Sequence, residues 1–191
     1  TPNEPPTYCR FAPRCPEAFE ACEQHILDYT PPADPYKLVA NIPYHLTSPI
    51  LRKFLPEASH RPQSITLLVQ KEVAEKLCDT THRSLLSVLV EAYGDARIVA
   101  AVPAACFSPP PKVDSAILHI AVATEPKIAV EPRLFVRALK LGFAQPRKKL
   151  KNNLPAEVIA RAKVDPDLRA EKLSLPEWEA VARAITAAAK A

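Results

Sequence analysis

The sequence predicts an α/β fold in which a partial doubly wound sheet is followed by a small helical domain. Two apolar runs, "YKLVAN" and "SITLLVQ", have the length and composition of buried parallel strands, and helical patterns follow each of them. From about residue 131 onward every segment has a helical pattern. With 191 residues and 48% apolar residues, the chain is long and apolar enough to form a genuine core.

The predicted elements follow one another in a clear order. After "YKLVAN", Ser48 and Pro49 are typical of a helix start, and this helix should run through Leu55. "SITLLVQ" is the next strand, followed by helices at "KEVAEKL" and "RSLLSVLVEAY". "ARIVAAV" and "DSAILHIAV" are further strands, the last one antiparallel at a sheet edge. We expect three parts: a Cys- and Pro-rich leader (1–24), a sheet region (25–125) and a helical domain (126–191).

The helical domain should contain four helical segments. They are "PRLFVRALKLGFA", "RKKLKNNL", "PAEVIARA" and a final helix that begins at Ser174-Leu175-Pro176-Glu177. The beginning of this final helix has the pattern of a capping box, with a proline in the first turn. In the leader we expect irregular structure with a short helix around Glu17–Cys22, and elsewhere we expect Cys78 and Cys106 to be core residues.

Composition excludes several classes of function. The chain has only two glycines, Gly94 and Gly142, and they lie too far apart to form a glycine-rich phosphate or nucleotide loop. No window has the ~20 uninterrupted apolar residues of a membrane helix, and the start lacks the layout of a signal peptide. We therefore expect a cytoplasmic protein with no membrane partner.

The stretch "VANIPYHLTSPI" carries the first candidate site. Asn41 ends a predicted strand, and ligands of α/β sheets bind beyond the carboxyl ends of the strands. Its side-chain amide can donate and accept hydrogen bonds, Pro43 fixes the path of the loop, and Tyr44 offers a flat face. This combination suits a planar substrate that bears an amino group. Alternatively, Asn41 only terminates a strand and Tyr44 is a packing residue.

Three segments together indicate a family. "NIPYHLTSPILRKFL", "LLVQKEVAEKL" and "FSPPPKVDSAIL" resemble, in order and spacing, the KsgA-type rRNA adenine dimethyltransferases and their erythromycin-resistance relatives. "FAQPRKKLKNNL" and "LRAEKLSLPEWEAVARAI" are similar to the C-terminal helical domain of that family, so the resemblance covers about residues 26–190. It implies a Rossmann-like methyltransferase sheet without its first strands, methyl transfer from S-adenosylmethionine, and small-subunit rRNA or an immature ribosomal subunit as partner.

The resemblance also implies residue roles. Asn41, Ile42, Pro43 and Tyr44 match the family's N-x-P-Y motif, which holds a flipped-out adenine. By this match the Asn41 side chain and the Ile42 carbonyl accept hydrogen bonds from the adenine amino group, and Asn41 also borders the methyl-donor site. Tyr44 would stack on one face of the base and Phe107 on the other. The alternative for Phe107 and the prolines after it is a rigid extended connector.

A basic segment indicates the RNA contact. Between Arg133 and Asn153 there are seven Lys or Arg residues and no acid. Six of these cations are predicted to neutralise RNA phosphates: Arg137, Lys140, Arg147, Lys148, Lys149 and Lys151. A solvated basic face without a ligand is the alternative.

The sequence departs from the family at the methyl-donor side. The E-x-G-x-G-x-G-type loop of complete members is absent, and His25 stands where they have Asp. We therefore expect the isolated chain to behave as a catalytically inactive RNA-binding or ribosome-assembly protein, although its family is enzymatic. Without the first strands, "KLVAN" should lie at an exposed sheet edge and favour self-association.

The leader suggests a third function. "YCRFAPRCPEAFEAC" resembles the C-terminal cysteine motif of oligopeptide-type ABC transporter ATPase subunits. Cys9, Cys15 and Cys22 have C-x5-C-x6-C spacing, and His25 would be a fourth ligand for zinc or an iron–sulfur cluster. The leader would then be a metal-binding interaction module. The alternative is a set of reduced thiols.

Overall fold

A computed structural model of the chain describes residues 26–31 and 33–188. The chain divides into two units between Pro35 and Tyr36, and the second unit, Tyr36–Ala191, contains every helix and strand described below. The predicted short helix at Glu17–Cys22 lies outside the described residues. Within the described ranges, no helix has the length and apolar character needed to cross a membrane.

Four strands form one mixed sheet. They are β1 (Lys37–Asn41), β2 (Ser64–Gln70), β3 (Gly94–Val102) and β4 (Ser115–Val122), in the spatial order β1-β2-β4-β3. β1 and β2 are parallel, whereas β4 is antiparallel to both of its neighbours. The predicted α/β class, the four strands and the antiparallel direction of β4 are thereby confirmed.

The predicted place of β4 at a sheet edge is wrong. β4 lies between β2 and β3, and β3 is the edge strand instead. The reason is visible in composition, because β4 carries apolar residues that are fully buried, such as Leu118 and Ile120. β3 contains Asp95 and Arg97, which are exposed, and charged residues are typical of edge strands.

Within the described ranges, six α-helices accompany the sheet. α1 (Thr47–Phe54), α2 (Lys71–Cys78) and α3 (Leu85–Tyr93) connect its strands, whereas α4 (Pro132–Gly142), α5 (Ala156–Ala162) and α6 (Leu175–Ala188) follow it. α1 begins at Thr47, one residue before the expected cap at Ser48. At the start of α6 the Glu177 carboxylate accepts hydrogen bonds from the Ser174 N–H and hydroxyl, at 2.7 and 2.6 Å. This contact supports the helix start predicted there.

The predicted helix at "RKKLKNNL" is wrong. Only Leu150–Asn152 form a single 3-10 turn. The N–H groups of Leu150 and Lys151 donate instead to the carbonyls of Leu168 and Pro166, at 2.8 and 3.1 Å. Two asparagines and a proline follow directly in the sequence, and these residue types disfavour a continued helix.

One side chain joins the sheet region to the helices that follow it. The guanidinium of Arg83, in the connection between α2 and α3, donates to the carbonyls of Glu171 and Leu173 and pairs with Glu91 at 3.0 Å. The Lys172 ammonium donates to the Thr81 carbonyl at 3.3 Å. These contacts hold the two regions together within one compact unit.

The helical region packs around Trp178 on α6. Its ring is fully buried and stacks on Phe143, with the ring centroids 5.4 Å apart. Gly142 makes this packing possible, since a Cβ there would lie 2.3 Å from the Trp178 ring.

The expected burial of the two cysteines is wrong, because Cys78 is only half-buried and Cys106 is exposed in a short 3-10 turn, Ala104–Cys106.

Replacement of Gly142 by alanine should destabilise the protein. Overpacking against Trp178 is expected to lower the free energy of unfolding by about 1–3 kcal/mol. That loss exceeds the gain of about 1 kcal/mol that alanine normally brings to a helix. Urea denaturation measures the difference, with Lys140→Ala on the exposed face of α4 as the control. A Gly142→Ala variant more stable than the parent would contradict this account of the core.

Candidate functional site

The strand directions gather the predicted base-binding residues at one end of the strands, the end where β1, β2 and β3 stop; this end is called a sheet edge below. β3 and β2 run in the same direction as β1, so all three end at this edge, and the antiparallel strand β4 begins there. Ser115, the first residue of β4, is paired with Gln70 at the end of β2 and with Val102 at the end of β3. The loops after β1 and β3 are therefore neighbours of the start of β4.

The Asn41–Tyr44 loop is short and internally bonded. Asn41 ends β1 with its side chain exposed, and among the described residues the amide has no hydrogen-bond partner. Ile42 is buried and anchors the loop. The Leu46 N–H donates to the Pro43 carbonyl at 2.9 Å, and a 3-10 turn, Tyr44–Leu46, leads directly into α1. The Asn41 amide, which has no partner in the described part of the chain, is thus followed by a loop that its own backbone hydrogen bond holds in place.

Tyr44 is held by a contact that the sequence did not reveal. Its hydroxyl lies 2.7 Å from the Ser115 hydroxyl oxygen, and Ser115 is fully buried. The Thr47 hydroxyl donates to the Tyr44 carbonyl at 2.9 Å. Both ends of the tyrosine are therefore fixed, and the residue is half-buried.

The Phe107 loop is attached to the same strand end. Phe107 follows the 3-10 turn Ala104–Cys106 and is half-buried. The Asp114 carboxylate accepts a hydrogen bond from the Ala104 N–H at 2.9 Å, and the Asp114 carbonyl accepts one from the Lys71 N–H at 3.0 Å. Asp114 therefore fastens the loop after β3 and the turn after β2 to the start of β4.

Asp114 and Ser115 join the loops of the candidate site, and sequence reasoning missed both contacts. The available signal was "VDS" directly before an apolar strand, since Asp and Ser at strand starts often bond neighbouring backbone groups. The pattern shows a local bonding tendency. It does not show that the partners come from residues 44 and 104.

The six predicted RNA-binding cations are all exposed, and the structure places them in two groups. Arg137 and Lys140 line a groove of about 430 Å³. Its other lining residues are Pro56, Glu57, Glu131, Pro132, Arg133 and Val136. Its walls come from the segment between α1 and β2 and from the start of α4. β2 begins and β4 ends at the strand end opposite to the Asn41 loop, where Ser64 and Ala121 are paired.

The second group of cations surrounds an acid. Lys149 and Lys151 both contact the Asp167 carboxylate, at 3.0 and 2.8 Å. Their hydrogen bonds, with the Lys151 bond first, lower the pKa of the Asp167 carboxyl to about 2. Arg147 and Lys148 are exposed beside this cluster, and neither has an ion pair among the described residues. Although the segment from Arg133 to Asn153 contains no acid, the fold thus brings Asp167 into contact with two of its lysines.

The predicted metal ligands Cys9, Cys15, Cys22 and His25 lie outside the described residues. In the part of the chain that is described, no cluster of three or more His, Cys, Asp or Glu side chains is arranged to hold a metal ion.

The described residues do not fit a methyl-donor cradle. Close approach of a donor nucleoside needs glycine backbone, and both glycines are used in packing. A Cβ on Gly94 would lie 2.4 Å from the Ala121 carbonyl oxygen, and Gly142 faces Trp178. Asn41 is the one predicted donor-site residue, and the described residues supply no open glycine backbone for S-adenosylmethionine.

The Tyr44–Ser115 contact can be tested by a double-mutant cycle. Tyr44→Phe leaves the buried Ser115 hydroxyl without its partner, which should lower the free energy of unfolding by about 1–3 kcal/mol. In a Ser115→Ala background the same change should cost clearly less, as measured by urea denaturation. Equal costs in both backgrounds would show that the hydrogen bond does not hold the loop.

Comparison with known proteins identifies the family. The family model for ribosomal RNA adenine dimethylase matches residues 17–186. Ribosomal RNA small subunit methyltransferase A of Dehalococcoides mccartyi (strain 195) is 39% identical over 160 residues, covering 76% of this chain and 54% of that protein. The corresponding protein of Syntrophotalea carbinolica is 41% identical over 164 residues, covering 79% of this chain and 62% of that protein. The chain thus spans little more than half the length of these relatives.

Solved structures support the fold. A dimethyladenosine transferase from Plasmodium falciparum superposes with a TM-score of 0.70 at 20% identity, covering 83% of this chain and 69% of that one. The 23S rRNA methyltransferase ErmE gives 0.60 at 23% identity, covering 86% and 70%. At these identities the likeness concerns the fold alone. Because the family model matches most of the chain and relatives near 40% identity share it, the chain belongs to the ribosomal RNA adenine dimethylase family.

Proposed function

We propose that this chain is the acceptor-base half of an rRNA adenine-N6,N6-dimethyltransferase, which binds small-subunit rRNA and presents an adenine for methylation. One observation carries the proposal. At the start of β4, the Tyr44 hydroxyl is bonded to the Ser115 hydroxyl, and the Ala104 N–H of the Phe107 loop is bonded to the Asp114 carboxylate. Two aromatic residues and an unpaired amide are therefore held at the same sheet edge.

These residues can bind an adenine that has left its helix. The Asn41 side-chain oxygen and the Ile42 carbonyl are suited to accept the two hydrogens of the adenine amino group. Tyr44 and Phe107 supply aromatic faces, and stacking of one base is worth about 1–3 kcal/mol. Because the Tyr44 hydroxyl is occupied by Ser115, the contribution of Tyr44 to binding is its ring.

The methyl donor has to come to this base from another part of the enzyme. In the family, S-adenosylmethionine supplies an electrophilic methyl group, and the described residues lack a cradle for it because both glycines are packed. We propose that the donor half is formed by sequence that the longer relatives possess. By itself, the chain then acts as an RNA-binding protein without catalysis, which is our second candidate function.

The exposed cations are the proposed contacts to rRNA or to an immature ribosomal subunit. Arg137 and Lys140 on α4, with Arg147 and Lys148, have no ion pair in the described part of the chain and are free to neutralise phosphates. Such contacts bind RNA of any sequence, and their strength falls as salt is added. Sequence preference would come from the base site.

The base site is tested by the preference for adenine. We expect the chain to bind a fluorescein-labelled RNA hairpin with an unpaired adenine more tightly than the same hairpin with purine, which lacks the amino group. Asn41→Ala should reduce this preference by about five- to 150-fold, corresponding to about 1–3 kcal/mol for the lost acceptor. Gln63→Ala, an exposed amide near the opposite sheet edge, serves as the matched control.

Two results would contradict the proposal. One is an Asn41→Ala variant that still distinguishes adenine from purine as the parent does. The other concerns the donor half: calorimetric titration with S-adenosylmethionine, with and without the hairpin, should show no saturable binding. Saturable binding would overturn the view that the donor cradle lies in additional sequence.

We also propose that the outer edge of β1, which has no strand partner among the described residues, promotes self-association. Val39 is 75% exposed, and the β1–β2 register is regular. The other edge strand, β3, has a register irregularity between Ile98 and Ala100, and bulges of this kind oppose edge-to-edge pairing. The described β1–β2 pairing contains no such irregularity.

Charge on β1 should therefore weaken self-association. Val39→Lys is expected to shift a concentration-dependent oligomer toward monomer, as measured by light scattering across a dilution series. Val99→Lys on the bulged strand β3 is the control, because this residue is also exposed and apolar. If both variants and the parent are monomeric at every concentration, β1 is not an association surface.

A further inference from the structure

The segment that contains Lys149 and Lys151 is held rigidly against the segment that contains Asp167. Lys149 and Arg169 form an antiparallel bridge, and the N–H groups of Leu150 and Lys151 donate to carbonyls of the facing segment at 2.8 and 3.1 Å. The Leu150 side chain is fully buried beneath this pair of segments. The two lysines therefore project from a fixed backbone.

Both ammonium groups converge on one carboxylate oxygen. Lys149 Nζ lies 3.0 Å and Lys151 Nζ lies 2.8 Å from Asp167 Oδ1, and all three side chains are about half exposed. Two ammonium groups around one anionic oxygen form the arrangement that a phosphate oxygen also satisfies. Because hydrogen bonds from both lysines lower the pKa of the Asp167 carboxyl to about 2, this carboxylate stays ionised across the pH range of binding experiments.

The surroundings of this cluster are rich in further cations. Arg147, Lys148 and Arg169 are exposed beside it, and none of them has an ion pair in the described ranges. The other nearby acid, Asp165, accepts a hydrogen bond from the Asp167 N–H at 2.8 Å and shapes the turn. A polyanion is thus attracted to a place where one carboxylate already occupies the two central lysines.

We propose that Lys149 and Lys151 form a phosphate site that Asp167 occupies in the free protein, and that an RNA phosphate displaces this carboxylate on binding. The proposal rests on the proposed RNA-binding function and identifies one contact of that interface. Asp167 is then an internal competitor that weakens non-specific RNA binding.

A purely structural role does not account for the Asp167 carboxylate as well as the proposed competition with RNA does. Exposed ion pairs contribute little to stability, and the backbone bonds of the two segments do not involve this side chain. Its principal effect is to remove one unit of positive charge from the centre of the basic surface. The loss of that charge weakens the electrostatic attraction of an approaching anion.

Neutralisation of Asp167 should strengthen RNA binding. Asp167→Asn keeps the side-chain shape and a hydrogen-bond acceptor but removes the charge, so one more phosphate contact becomes available. Measured with the labelled hairpin, its affinity should rise at least about threefold at low salt. The slope of log K against log salt should become steeper by about 0.7–0.9. Circular dichroism and the thermal midpoint should be close to those of the parent.

Glu157→Gln is the matched control, because it also removes one exposed, ion-paired acid in the same helical region. It should change RNA affinity by less than about twofold. Lys149→Gln/Lys151→Gln should weaken binding more in the Asp167→Asn background than in the parent, since the lysines are then free.

The outcomes separate this inference from the proposed function. If the parent and all variants fail to bind the hairpin, RNA binding itself is wrong. If the parent binds but Asp167→Asn binds no more tightly than Glu157→Gln, or binds more weakly, the displacement of Asp167 is wrong while the RNA-binding function stands.

Discussion

The antiparallel course of β4 is the constraint on which the candidate site depends. β1, β2 and β3 all end at one edge of the sheet, and only a strand that runs the opposite way can begin there. Its first residues, Asp114 and Ser115, are therefore available to bond the loops that follow those strands. Buried hydrogen-bonding groups need partners, so the same bonds that satisfy Ser115 also fix Tyr44.

The arrangement separates rigidity from recognition. Main-chain and hydroxyl bonds hold the loops, whereas the Asn41 amide has no hydrogen-bond partner among the described residues. The Tyr44 hydroxyl is bonded, yet its ring is partly open, and the Asn41 amide is exposed. A site organised in this way does not have to order its loops when a base arrives, which reduces the entropic cost of binding.

The charge of the basic segment depends on which residues the fold brings next to it. The segment from Arg133 to Asn153 contains no acid, but Asp167 meets two of its lysines because the chain returns alongside them. The cations on α4 form a separate surface toward the opposite sheet edge. The basic character of the helical region is therefore divided between a groove that Glu57 and Glu131 also line and a cluster that Asp167 partly neutralises.

The sequence by itself determined the α/β class, all four strands and the helices that carry strong patterns, because burial periodicity and caps such as Ser174 with Glu177 are local properties. Through the family resemblance of the motif around Asn41, it also predicts which residues would bind a base. Tertiary structure decided the interior position of β4, the single turn at Leu150–Asn152, and the partners of Ser115 and Asp167. These features depend on contacts between distant residues, which local sequence patterns do not encode.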